Sequence, residues 1–137
     1  MTATVPASPR ASAAVRRRAA WAVWAVALLA LAVVAGTGHG GGVWAAFAAG
    51  AVAPDLSFLA ALGAREPVRR GQLPRRAVPF YNAAHRTPVP LVLAVAYGFS
   101  PLDAPAVFAF LLAWTFHIAV DRAAGYTLRT PEGFVRA

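Results

Sequence analysis

The residues best suited to chemistry in this chain are a histidine and an aspartate near the C-terminus, in the sequence WTFHIAVDR. On a helix, His117 and Asp121 would lie one turn apart on the same face. Both lie inside an apolar run, where a histidine or a carboxylate is costly to bury without a partner. The pair therefore indicates a buried polar site with a specific purpose.

Four further polar residues interrupt or border the apolar runs. The candidate polar site consists of Asp55, Asn82, His85, His117, Asp121 and Arg122. Its two histidines and two carboxylates match the ligand preferences of a divalent ion such as zinc or manganese. The candidate metal ligands are therefore Asp55, His85, His117 and Asp121. An ion held by three ligands with an open position would activate water for hydrolysis.

A purely structural network is the alternative interpretation of the same residues. In that network His117 would pair with Asp121 along the helix, His85 would pair with Asp55 between helices, and Arg122 would neutralise Asp121. Interhelical hydrogen bonds of this kind stabilise membrane bundles by about 0.6 kcal/mol each. Residue types and spacing leave both interpretations open.

Composition defines the class of protein that must position these residues. Of the 137 residues, 59% are hydrophobic and 13% are charged, whereas soluble domains contain roughly 25% charged residues. The sequence therefore predicts a membrane protein. It contains no cysteine, which excludes a disulfide framework and a thiolate metal site.

Four apolar runs predict an all-α bundle of four transmembrane helices. They cover about residues 19–37, 43–64, 79–99 and 104–124, and roughly 20 residues suffice to cross a hydrocarbon core of about 30 Å. Pro54 should kink the second helix, and Pro88 and Pro90 should kink the third beside His85. A cleaved signal peptide is the competing interpretation of the first run, but that run is long for one.

The arginines predict the topology. All thirteen basic residues are arginines. They lie before the first run, in and around the loop between the second and third runs, and at or after the end of the fourth. The connections at 36–42 and 100–103 contain none. By the positive-inside rule, both termini should be cytoplasmic, and every candidate site residue should lie in the cytoplasmic leaflet. We expect a multi-pass protein of the plasma (inner) membrane.

The chain should accordingly divide into three parts: a disordered basic tail (1–18), a transmembrane domain (19–126) and a C-terminal tail (127–137). The expected partners are the lipid bilayer and anionic lipid headgroups. Nucleic acid is not expected, because no recognised binding motif accompanies the arginines. Small residues such as Gly36 and Gly38 permit close helix packing within a chain or between copies, which is compatible with a homo-oligomer.

Three motifs in a fixed order carry a family resemblance: Pro54-Asp55-Leu56-Ser57, Tyr81-Asn82-Ala83-Ala84-His85, and His117 to Arg122 followed by Gly125-Tyr126. Together they resemble the domain-of-unknown-function 4260 family of small bacterial integral membrane proteins, over about residues 44–134. This resemblance implies a multi-helix membrane protein without an established activity.

The chain also departs from that family's pattern. The family tends to carry glycine and tyrosine at Ala60 and Ala61, and a Gly-Tyr-Gly-Leu-Lys sequence where this chain reads Gly125-Tyr126-Thr127-Leu128-Arg129. The family often continues past this point with a histidine-containing tail, whereas the residues printed after Phe134 are Val135-Arg136-Ala137.

A looser similarity is to membrane-bound metal-dependent hydrolases of the inner membrane. They share a Pro-Asp pair, a segment like His85-Arg86-Thr87 and a late His-x-x-x-Asp helix. This similarity would make the two histidines and two aspartates metal ligands. Two functional hypotheses follow: a metal-dependent hydrolase with a lipid-linked or membrane-proximal substrate, and a non-enzymatic membrane protein whose polar residues serve assembly or partner binding.

Overall fold

The computed structural model of the protein describes residues 9–136, and these residues form a bundle of helices. The α-helices are α1 (Pro9–His39), α2 (Gly41–Val52), α3 (Val78–Ala84), α4 (Pro88–Gly98) and α5 (Pro105–Ala124). A 3-10 helix, Ala53–Ala61, continues α2, and a short one, Arg75–Ala77, precedes α3. Apart from one isolated antiparallel bridge between Arg129 and Val135, the described residues contain no β-structure. The prediction of an all-α protein is confirmed.

The first helix begins earlier than predicted. It starts at Pro9 and ends at His39, so residues 9–18 are helical where the sequence predicts a disordered tail. Alanine and arginine are good helix formers, and this stretch is continuous with the apolar helix that follows. The remainder of the predicted tail, residues 1–8, lies outside the described part of the chain.

Helices α1 and α5 pack against each other in opposite directions. Ala25, Leu28, Leu112 and Ala119 form a buried cluster between them. The Arg18 guanidinium donates hydrogen bonds to the carbonyls of Ala123 and Ala124 at the end of α5. The apolar part of α1 therefore begins at the end of the bundle where α5 finishes.

Helix α2 approaches α5 closely. Gly50 is buried, and a Cβ atom at this position would collide with the backbone carbonyl of Phe110. Glycine allows the two helix backbones to approach this closely, as small residues do in membrane bundles.

The predicted third helix is in fact two helices, and the prediction of one kinked helix over residues 79–99 is wrong. Helix α3 ends at Ala84, and α4 begins at Pro88. Pro88 has no N–H group to continue the hydrogen-bond ladder of α3. The intervening residues, His85 to Thr87, form the break, which places His85 at a helix end.

Three helical segments are long and apolar enough to cross a membrane: Arg10–His39, Gly41–Ala61 and Pro105–Ala124. Helices α3 and α4 contain 7 and 11 residues, about 10 and 16 Å at 1.5 Å per residue, so neither is long enough alone. Large apolar side chains lie exposed on α1 and α4, among them Val23, Val34 and Val92. Such a surface suits a hydrocarbon environment better than water.

The C-terminal tail folds back onto the bundle. The Leu73 N–H donates to the Gly133 carbonyl at 2.9 Å. Gly133 has a φ of +93°, and a Cβ there would collide with the backbone of Leu73. Glycine is therefore required at this contact, both for its left-handed conformation and for lack of space.

Candidate metal centre

The four predicted metal ligands converge at one point of the bundle. The Nε2 atoms of His85 and His117 lie 3.3 Å apart. Asp55 Oδ1 is 3.8 Å from His85 Nε2 and 3.5 Å from His117 Nε2. Asp121 Oδ2 is 3.6 Å and 3.8 Å from the same two nitrogens. Residues from three separate segments therefore meet around the two imidazole rings.

Three of these residues form the tightest group. Asp55, His85 and His117 each offer a ligand atom, and these atoms all lie within 4.8 Å of one another. Asp121 adjoins this group through its contacts with both histidines. The side chain of His85 is fully buried and that of His117 nearly so, whereas 51% of the Asp55 side chain is exposed. The cluster is thus closed on the His85 side and open on the Asp55 side.

The orientation of both imidazole rings is fixed by backbone carbonyls. His117 Nδ1 lies 2.8 Å from the Ala51 oxygen, and His85 Nδ1 lies 2.9 Å from the Tyr81 oxygen. A carbonyl oxygen can only accept a hydrogen bond, so each Nδ1 carries the hydrogen. In the neutral rings this assignment leaves the Nε2 lone pairs directed at the carboxylates.

The interior of the cluster contains acceptors and lacks a donor. The two Nε2 atoms lie 3.3 Å from each other, and each lies 3.5 to 3.8 Å from an oxygen of both carboxylates. Hydrogen bonds between charged groups are shorter, about 2.7–2.9 Å, so protonating one histidine would not give well-formed bonds at these distances. A tetrahedral ion at about 2.0–2.1 Å from its ligands holds those ligands about 3.3–3.4 Å apart. The spacing therefore suits a small cation better than a set of hydrogen-bonded pairs.

Two prolines explain why two side chains of α5, those of His117 and Trp114, form hydrogen bonds to backbone carbonyls of neighbouring segments. Pro54 lies in the 3-10 helix, where an N–H would bond to the carbonyl three residues earlier, that of Ala51; proline has no N–H, and the His117 ring donates to this carbonyl instead. Pro88 cannot donate to the Ala84 carbonyl, and the Trp114 indole donates to it at 2.7 Å. Carbonyls freed by proline in a membrane helix need such replacement donors. The prolines thus fix α5 against both helix interruptions.

The other two predicted site residues lie outside the cluster. Arg122 Nη2 donates to the His85 carbonyl at 2.8 Å, and its Nη1 donates to the Tyr126 carbonyl at 2.8 Å. Arg122 thereby supports the break after α3. The Asn82 side chain exchanges two hydrogen bonds with the backbone of Arg129, at 3.0 and 2.7 Å. Asn82 thereby anchors the C-terminal tail.

Sequence reasoning missed two residues that support His85. The Tyr81 ring stacks on the His85 ring with centroids 3.9 Å apart, and the Arg129 guanidinium carbon lies 5.1 Å from the Tyr81 centroid. The spacing of Tyr81, four residues before His85, was an available signal. Arg129 gave none, because nothing in a tail without periodicity indicates where it packs.

The fold and the cluster define an all-helical protein that is apolar enough to span a membrane and carries a histidine–aspartate site. The chain belongs to the family described as Domain of unknown function (DUF4260), which matches residues 20–137. The resemblance inferred from the three motifs is therefore confirmed. No curated protein and no solved structure matches the chain.

Proposed function

We propose that the protein is a membrane-embedded divalent-metal protein that catalyses hydrolysis, with zinc or manganese as the ion. Asp55, His85 and His117 would be its ligands, and Asp121 would act as a fourth ligand or as a base. The observation that carries this proposal is the convergence of four acceptor groups around a space without a donor. A cation between Asp55, His85 and His117 would satisfy these three acceptors together, with Asp121 beside both histidines.

The arrangement suits hydrolysis because three ligands would lie on one side of the ion and leave a position for water on the other. Two histidines and one carboxylate are a ligand set typical of catalytic zinc, with one position left for water. Such an ion activates water for hydrolysis. Asp121 lies beside both histidines, where its carboxylate could accept a proton from the attacking water. The half-exposed Asp55 side would admit a substrate, and a membrane-proximal or lipid-linked ester fits this location.

We further propose that the chain crosses the plasma membrane four times, with both termini in the cytoplasm. The hydrogen bonds from Arg18 to the end of α5 support this topology, because they hold both chain ends at one end of the bundle. At the other end, the Ala104 N–H donates to the Tyr97 hydroxyl at 2.9 Å and holds the end of α4 beside the start of α5, which supports α3 and α4 together forming the third crossing in chain order. The metal centre would then lie in the cytoplasmic leaflet.

The decisive test is elemental analysis of detergent-purified protein after exposure to zinc and manganese followed by removal of unbound ions. We expect about one ion per chain in the wild type and loss of most of it in His117→Ala, because the ion would lose one of its few ligands. His39→Ala is the matched control. His39 bonds to the Ala35 carbonyl at the far end of α1, so that variant should retain the ion.

Absence of metal from the wild type after loading would contradict the proposal. Equal retention by His117→Ala would also contradict it. The polar cluster would then serve assembly of the bundle or binding of a partner, and His117→Ala should lower stability without affecting any hydrolytic activity. Where the ion is found, a hydrolase screen with lipid-linked phosphoesters and carboxylic esters is the next step.

A further inference from the structure

A second site lies at the end of the bundle where α1 begins its apolar part. A cavity of 440 Å³ is lined by Arg17, Arg18, Arg122 and Arg136, with the Trp21 ring beside them. No carboxylate is among its lining residues. Within residues 9–136, none of the four arginines forms an ion pair within 4.0 Å. Four like charges around one space are unfavourable unless an anion occupies it.

Three of the four guanidiniums are fixed by backbone carbonyls. Arg18 donates to the end of α5, and Arg122 donates to the carbonyls of His85 and Tyr126. Arg136 Nε donates to the Arg129 carbonyl at 3.0 Å. Each guanidinium has five N–H donors, so these bonds orient the groups and leave further donors available. Pre-oriented arginines are well suited to the planar, bidentate recognition of phosphate.

The arginine cavity adjoins an apolar groove with which it shares lining residues. The groove has a volume of 380 Å³ and shares Arg17 and Trp21 with the cavity. From there it extends along α1 to Trp24 and along α4 to Leu91, away from the arginines. An ion of the size of free phosphate would leave this groove empty, whereas a phospholipid has a charged group and an apolar chain in the same order.

We propose that this composite site binds one anionic phospholipid, with the headgroup phosphate among the four arginines and one acyl chain in the groove between α1 and α4. This is stoichiometric binding at a defined place, in contrast to the general attraction of basic loops to anionic membranes. The inference does not rest on the metal centre, and it is tested with the metal removed by chelator.

The test is native mass spectrometry of the delipidated full-length protein in a neutral detergent, titrated with dioctanoyl phosphatidylglycerol. We expect saturable binding of one lipid by the wild type. Arg17→Gln should weaken binding about tenfold or more, because a charge-assisted hydrogen bond to phosphate is lost. Arg16→Gln is the matched control: it removes the same charge from the adjacent residue, which does not line the cavity, and binding should change less than about twofold.

A second variant tests the groove separately from the headgroup. Leu91→Trp should fill the groove and weaken lipid binding while leaving the arginine cavity intact. Three outcomes would overturn the proposal: equal weakening by Arg16→Gln and Arg17→Gln, binding of dioctanoyl phosphatidylcholine as tight as that of phosphatidylglycerol, or binding of inorganic phosphate as tight as that of the lipid. The last outcome would reassign the cavity to a free anion.

Discussion

His85 and His117 present the same ring nitrogen to the cluster, although they reach it from different segments. Each donates its Nδ1 hydrogen to a backbone carbonyl, so that its Nε2 atom faces the carboxylates. Backbone carbonyls are common partners of metal-binding histidines, because they fix the tautomer and the ring orientation. The site is therefore preorganised by hydrogen bonds that do not themselves involve the proposed ion.

Trp114 provides a test of this preorganisation. Trp114→Phe removes the indole N–H while keeping an aromatic ring, and it leaves the Ala84 carbonyl without its donor. We expect the free energy of unfolding in detergent to fall by about 1–3 kcal/mol. Metal binding should also weaken, because His85 directly follows Ala84 in the chain. Trp44→Phe is the control, since Trp44 is partly exposed. Equal stability of the two variants would show that the indole hydrogen bond is unimportant.

The histidines and aspartates of the cluster could be singled out from the sequence, but the roles of their neighbours could not. A charged or polar residue in an apolar run is conspicuous, and the arginine pattern alone assigned Asp55, His85 and His117 to one leaflet. Asn82 and Arg122 were predicted to belong to the same polar site, with Arg122 neutralising Asp121. Their actual partners are backbone carbonyl and amide groups of the tail and of a helix end. Side-chain spacing carries no information about such groups.

At the level of helices, proline determines where a helix of the bundle is interrupted. Hydropathy shows one apolar run over residues 79–99, yet the structure divides it into α3 and α4. The Ala84 carbonyl finds a replacement donor on α5, which makes a complete break acceptable inside the bundle. Sequence reasoning could identify the prolines, but not the tertiary hydrogen bond that decides between a kink and a break.

Gly50 provides a test of helix packing. In Gly50→Ala, the new methyl group would meet the Phe110 backbone, which cannot move aside as a flexible side chain could. We expect a loss of about 1–3 kcal/mol in unfolding free energy from overpacking. Gly42→Ala lies in the same helix with nothing within 4 Å, and it should be neutral or stabilising by up to about 1 kcal/mol. A stable Gly50→Ala protein would refute the close contact of α2 with α5.

The arginines of the molecule gather toward one end of the bundle, and many large apolar side chains face outward. Arginines surround the end of the bundle where the apolar part of α1 begins and α5 ends. The opposite end carries the connections between α1 and α2 and between α4 and α5. The overall class followed from composition, because so few charged residues cannot cover a soluble surface. The path of the C-terminal tail could not be predicted from composition, because it depends on contacts of single residues such as Arg129.

The four-crossing topology can be tested by labelling, because the chain contains no cysteine. We expect Ala13→Cys and Glu132→Cys to react with an impermeant maleimide only after lysis of bacterial cells expressing the protein. Gly41→Cys and Leu102→Cys should react in intact cells, and the cysteine-free wild type is the control. With only three crossings, Glu132→Cys would react in intact cells and Leu102→Cys would not, because α3 and α4 would remain on the cytoplasmic side.

The distribution of the cluster over the chain has a consequence for biogenesis. Asp55 belongs to the second apolar segment to leave the ribosome, whereas His117 and Asp121 belong to the last. The acceptor groups therefore cannot meet during most of translation and membrane insertion. Loading of the proposed ion would have to follow the insertion of α5, so a nascent chain stalled before that helix would hold only part of the cluster.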